Sequence, residues 1–174
     1  MTPGTLLVAA PSEDSDRVSG RTVVAIVDRE PNGITTGLVI NRRLEARVAD
    51  TSALALLFVP EPDAHAFWGG PMGNDPAVLA QFSDVEGLDW FHLSIEQRRP
   101  FLLPDVGIVA VAEHPEPFEG RILRARLFVG LCVWGRGQLE AELDQAGWLI
   151  ARPTLDDLFT PDPDGLWAAL SSRV

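Results

Sequence analysis

Arg124 and Arg126 lie two positions apart in the β-rich run Ile122 to Val133, so their guanidinium groups leave the same side of a strand. Such a pair can clamp an anionic ligand or partner; its structural alternative is pairing with the Asp and Glu of the protein's own surface. Directly after that run comes Trp134-Gly135-Arg136-Gly137-Gln138, where a strand breaks into a turn and a helix begins. Glycines at 135 and 137 let a backbone approach a ligand closely, and the free amides at a helix start favour an anion. The segment is not a complete Gly-x-Gly-x-x-Gly fingerprint, because position 140 is Glu, which opposes a phosphate and itself satisfies those amides. Asn41 and Arg42 end another predicted strand, and Gly69-Gly70-Pro71 is a sharp turn. Asn41, Arg42, Gly69, Gly70, Arg124, Arg126, Trp134, Gly135, Gly137 and Gln138 therefore form the candidate surface for a small anionic ligand or a protein partner. For each of them a turn, a salt bridge or core packing is the structural alternative.

Other chemistries have weaker support. His65, His92 and His114 lack metal-ligand spacing, so no metal site is expected. Cys132 is the only cysteine and sits in an apolar strand, which points to a small buried residue in a reducing compartment rather than a catalytic thiol. The chain contains no Lys, which removes Schiff-base catalysis and the P-loop lysine. It has no Gly-x-Ser-x-Gly elbow either. Asp156-Asp157 lies beside a predicted helix start, where carboxylates interact favourably with the dipole. Trp68, Trp90, Trp134, Trp148 and Trp167 are spread along the chain, as core and interface packing requires and a base-stacking platform does not. No cofactor is implied.

The balance of 25 acidic against 14 basic residues gives a net charge of −11, which repels a phosphate backbone and disfavours direct nucleic-acid binding. The start, Met1 to Leu7, lacks the positive flank and longer apolar core of a secretory signal, and the apolar runs Ala53 to Val59 and Val106 to Ala112 are far shorter than the about 20 residues a bilayer needs. A cytoplasmic protein with no membrane span is expected. At 174 residues, one core in one domain is the default. Oligomeric state is not readable from these features.

The elements that must position the candidates are mostly strands. Thr5 to Ala9, Thr22 to Val27 and Ile34 to Asn41 read as strands, the last two joined as an antiparallel hairpin by Pro31-Asn32-Gly33. Asp50 or Thr51 is placed to cap a helix over Ser52 to Phe58, stopped by Pro60 and Pro62. Asp75-Pro76 reads as a helix start running to Phe82. Leu88 to Leu93, Val106 to Ala112, Ile122 to Val133 and Trp148 to Ile150 are further predicted strands. Leu139, Leu143 and Ala146 recur at helical spacing, Thr154 with Asp157 resembles a capping box, and Asp164 is placed to cap Leu166 to Leu170. Clustered strands without strict alternation favour α+β.

Gly4-Thr5-Leu6-Leu7, Arg21-Thr22-Val23-Val24, Gly37-Leu38-Val39-Ile40-Asn41-Arg42, Gly69-Gly70-Pro71 and Trp134-Gly135-Arg136-Gly137-Gln138-Leu139-Glu140 occur in an order and spacing that resemble the AlgH/YqgE family. The agreement runs from about Gly4 to Leu170. The chain departs from the family pattern at Arg43, where Pro is usual, at Leu131-Cys132-Val133, where a Tyr-Ala-Gly-like triplet is usual, and at Val18, where an aromatic is usual. The resemblance implies an α+β fold with a bent, mostly antiparallel, partly barrel-like sheet and helices packed to one side. It implies no catalytic residues, and the family's older label is that of a transcriptional regulator. The leading expectation is a non-enzymatic binding or regulatory module acting through a protein partner or small ligand. The alternatives are an enzyme on a small anionic molecule at a glycine-turn cleft, and a transcriptional regulator.

Overall fold

The computed structural model describes residues 2–11, 20–59, 61, 63–86, 101–103, 105–111 and 116–174. The predicted strand Leu88 to Leu93, and with it Trp90, His92 and His114, lies outside them. The described chain runs β1 (Leu6–Ala9), β2 (Val23–Arg29), β3 (Thr35–Val39), β4 (Arg43–Arg47), α1 (Val48–Thr51), a 3-10 turn (Leu54–Leu57), β5 (His65–Trp68), β6 (Met72–Phe82), β7 (Phe101–Leu103) and β8 (Val106–Ala110). A second 3-10 turn (Glu116–Phe118) precedes β9 (Ile122–Trp134), α2 (Gln138–Asp144), β10 (Trp148–Ala151), α3 (Leu155–Leu158) and α4 (Pro163–Ser171).

The expected hairpin is β2 and β3, antiparallel, with Val24 opposite Val39 and Ala25 opposite Leu38. Its turn closes as read from sequence: the Gly33 amide donates to the Glu30 carbonyl at 2.9 Å, the Asn32 side chain accepts from the Ile34 amide at 2.9 Å, and Gly33 takes a φ of +91°. The strands form one sheet in the order β10-β1-β2-β3-β9-β6-β8-β7, with β4 and β5 attached alongside β9. Among the described residues the end strands β10 and β7 are not joined, so the sheet is open. Its pairings are antiparallel except β5 with β9, where Phe67 lies opposite Phe128.

Strand period two divides the apolar residues between two faces. Leu6, Val8, Val23, Ala25, Leu38 and Ile40 point to a central core with Leu79, Ile108 and Phe128. Leu7, Val24, Ile26 and Val39, the alternate residues, pack with Trp134 and Leu139 of α2 on the other face. A third cluster on the β6–β8–β9 half joins Val78, Ala80 and Leu127 to Val48, Phe58 and Phe118. The central core draws on both halves of the sheet, which bends around it, and α3 and α4 close it with Leu158, Leu166 and Leu170. The α+β class and the bent, mostly antiparallel sheet hold. The helices, expected on one side, divide between faces because β1 to β3 are buried on both and each face needs cover.

Three further expectations change. Ala77 to Phe82 is strand β6, hydrogen-bonded to both β8 and β9, where a helix was predicted. Buried neighbours on two edges outweigh the Asp75-Pro76 helix-start signal, and Pro76 sits at a register shift where its missing amide is not needed. The predicted helix over Ser52 to Phe58 is only a 3-10 turn at Leu54–Leu57, and Asp50 and Thr51, expected to cap it, lie within the separate short helix α1. The cap of α4 is Asp162, which accepts from the Gly165 amide at 3.1 Å with Pro163 opening the helix, while Asp164 is in its first turn.

The capping box is confirmed: Thr154 accepts from the Asp157 amide at 3.2 Å and Asp157 accepts from the Thr154 amide at 2.7 Å. Burial alone would raise the Asp157 pKa, but hydrogen bonds from Arg173 and Thr154 outweigh it and hold the carboxyl below the usual aspartate range. A depressed folded-state pKa contributes stability above the unfolded-state value and loses it as pH falls through the folded one. Asp157→Asn is therefore expected to cost about 1 kcal/mol at pH 7. The difference from the parent chain should shrink below roughly pH 4. Urea unfolding at pH 7 and pH 3 measures it, and a cost that does not change with pH would contradict the assignment.

Candidate functional site

Asn41 and Arg42 leave the end of β3 toward the chain's own backbone. The buried Asn41 side chain accepts from the Val23 amide at 2.8 Å and donates to the Arg21 carbonyl at 2.9 Å, pinning the entry to β2. Arg42 donates to the Gly20 carbonyl, and its own carbonyl accepts from the Trp68 amide at 2.8 Å. Gly69 links the two halves of the sheet, donating to the Val129 carbonyl and accepting from the Val39 amide, each at 2.8 Å. Gly70, with a φ of +151°, lies so close to β9 that a Cβ there would stand 2.2 Å from the Leu131 carbonyl carbon.

The turn after β9 is likewise self-contained. Gln138 accepts from the Gly135 amide at 3.1 Å, and Gly137 opens α2 at a φ of +76° with no side-chain cap. Sequence reasoning did not single out Glu142. One of its carboxylate oxygens accepts from the indoles of Trp134 at 3.0 Å and Trp148 at 2.8 Å, and the other accepts from Gln138 at 3.2 Å. The two indoles meet edge to face at 6.3 Å. Nearby Cys132 is half-buried, and burial, then the Glu142 charge, push its thiol up to about 11, so it stays protonated at neutral pH.

Arg124 and Arg126 leave the same side of β9, opposite Gln81 and Leu79, but meet different surroundings. Arg124 is exposed. Arg126 turns inward between aromatic rings, 4.8 Å from the centre of Phe67 and 6.0 Å from that of Phe159. It donates to the carbonyls of Leu158 at 3.2 Å and of Thr160. Burial lowers its pKa to about 10, which leaves it charged at neutral pH.

Arg126 lines a cavity of about 190 Å³ between β4, β5, β9 and the segment leading into α4. Arg43 and Glu61 stand exposed at its mouth, His65 and Phe67 come from β5, and Val59, Ala64, Ala125, Leu127, Pro161 and Pro163 complete the wall. The His65 ring is fixed by the Leu44 carbonyl, 2.9 Å from its Nδ1. Of the sequence candidates only Arg126 lines this cavity; Asn41, Arg42, Gly69, Gly70 and the Trp134 to Gln138 turn do not converge on it. The missed residues carried one faint signal: His65 and Phe67 alternate as strand neighbours do. Their meeting with Pro161 and Pro163 depends on long-range closure.

A model of the AlgH-like family (DUF179) matches residues 6–174. The chain belongs to the AlgH-like family. Among relatives of this AlgH-like chain is a UPF0301 protein of Thermobifida fusca, 33% identical over 173 residues that cover 98% of this chain and 85% of the relative. Another UPF0301 protein, from Nocardia farcinica, is 32% identical over 179 residues, covering 98% of this chain and 76% of its own. A Corynebacterium diphtheriae protein of known crystal structure superposes with a TM-score of 0.79 at 25% identity, covering 100% of this chain and 87% of that one. The solution structure of the AlgH protein from Pseudomonas aeruginosa, at 22% identity and a TM-score of 0.67, covers 97% of this chain and 86% of its own and shares the fold. Among the described residues no helix is long and apolar enough to cross a membrane, and no group of three or more His, Cys, Asp or Glu is placed to hold a metal ion.

Proposed function

We propose that this AlgH-like chain is a cytoplasmic, non-catalytic binding or regulatory module that acts through a protein partner or a small ligand, with the Arg126 cavity as its recognition point. The supporting observation is that cavity, which combines a fixed, half-buried cation with walls of mixed apolar and polar side chains in a volume below the about 300–1,000 Å³ of a typical small-molecule site. A site of that size reads one chemical group and leaves little room for a substrate together with catalytic machinery. The chain's acidity further favours a partner other than nucleic acid.

Native mass spectrometry of the protein purified gently from its own cells tests this reading. A bound small molecule or partner chain, present in the parent and depleted in Arg43→Glu, is expected. A reproducible catalytic turnover abolished by a single substitution at the cavity would overturn it.

A further inference from the structure

Resting on the reading of the cavity as a recognition point, and naming its ligand class, we infer that the cavity seats a single carboxylate carried on a short apolar stem, with Arg126 as its anchor and Arg43 at the mouth. A guanidinium has five N–H donors, and the Arg126 group gives one to the Leu158 carbonyl and one to the Thr160 carbonyl. Both acceptors are neutral. Among the described residues no acid lies within ion-pair distance of Arg126, although the group is half-buried. A charge withdrawn from water without a counter-ion is costly, and the two carbonyls and the Phe67 and Phe159 rings offset that cost without neutralising it. An anion entering the cavity would supply the missing charge through a charge-assisted hydrogen bond.

The walls narrow the choice of anion. Beside the polar side chains of Arg43, Glu61 and His65, the residues Val59, Phe67, Leu127, Pro161 and Pro163 give a surface that rewards a hydrocarbon stem, which inorganic phosphate lacks. Glu61 at the mouth repels a second negative charge. The volume suits a short monocarboxylic acid or the acidic side chain of a partner protein, two sources of one chemistry.

The test is titration of the full 15N-labelled chain with isovalerate, its neutral isostere isovaleramide, inorganic phosphate, and N-acetyl-glutamate amide as the blocked side chain. Saturable shifts confined to the amides of β5, residues 125–128 and residues 158–163 are expected with isovalerate or the blocked glutamate, at least tenfold stronger than with isovaleramide or phosphate. Tighter binding of isovalerate assigns a free acid, and tighter binding of the blocked glutamate a partner's side chain; either supports the carboxylate seat. Arg126→Gln should weaken binding at least tenfold and the exposed Arg43→Gln about threefold, while exposed Arg124→Gln should leave it unchanged. Arg43→Gln keeps the test decisive if Arg126→Gln fails to fold, since an unchanged affinity there counts against the proposal. Equal binding of acid and amide, or no saturable shift with either carboxylate, overturns it. A partner found by native mass spectrometry whose attachment survives Arg126→Gln would remove the carboxylate seat and leave the binding-module reading standing.

Discussion

Gly70→Ala is expected to cost about 3–5 kcal/mol, enough to leave the chain marginal or unfolded at 37 °C. The added Cβ would stand 2.2 Å from the carbonyl carbon of Leu131 and 2.5 Å from the amide of Cys132. Both are backbone atoms in the longest strand, so no side chain can swing aside to relieve the contact. The φ of +151° adds strain for any residue with a Cβ. Gly130, with a φ of +74°, faces the same crossing, and a Cβ there would lie 2.4 Å from the Gly70 carbonyl oxygen. The control is Gly73→Ala, also at positive φ (+69°) but with nothing within 4 Å, where about 1 kcal/mol is expected. Urea unfolding of the two variants measures the difference. Equal losses would show that the close approach at Gly70 relaxes freely.

Asn41→Leu is expected to cost about 2–4 kcal/mol while leaving carboxylate binding at the Arg126 cavity unchanged. Asn41 is only 4% exposed, and its amide satisfies the Val23 N–H and the Arg21 carbonyl at once. Leucine keeps the approximate volume, strands the buried Val23 N–H and takes the donor from the Arg21 carbonyl. Arg21 itself holds a φ of +54°, unusual for a residue other than glycine, and the Asn41 bond to its carbonyl helps hold that conformation. A variant with parent-like unfolding but lost ligand binding would reverse the assignment and return Asn41 to the functional surface.

These two positions show what the sequence can and cannot convey. Asn41 and Gly70 belong to the segments that carry the family resemblance, and both are explained by strand-to-strand geometry alone. The hairpin, the long strand β9, helix α2 and the Thr154–Asp157 box were legible because their signals are local: β-branched runs, turn residues, helical spacing and a cap. Strand β6 was not, because Asp75-Pro76 is a genuine local signal that two buried pairings overrule. Strand β4, with the sequence Arg-Leu-Glu-Ala-Arg, carries no strand signature and owes its conformation to β5. The cavity was legible only through Arg126. Arg43, His65 and Pro163 are drawn together by tertiary closure, and no spacing along the chain encodes that proximity.

The sheet order also governs how the protein emerges from a ribosome. Strand β1 has β2 on one side and β10 on the other, and the Trp167 indole donates to the Ala9 carbonyl at 2.8 Å, across 158 residues. The β1–β2–β3 hairpin system can form early, but its edges at β1 and β3 and both of its apolar faces await partners that are translated far later. Elongation at about 5–20 residues per second leaves that surface uncovered for many seconds. Vectorial synthesis thus leaves apolar surface open until β9, α2, β10 and α4 arrive, and a nascent chain arrested before Trp148 is expected to be held by chaperones rather than released as a stable half.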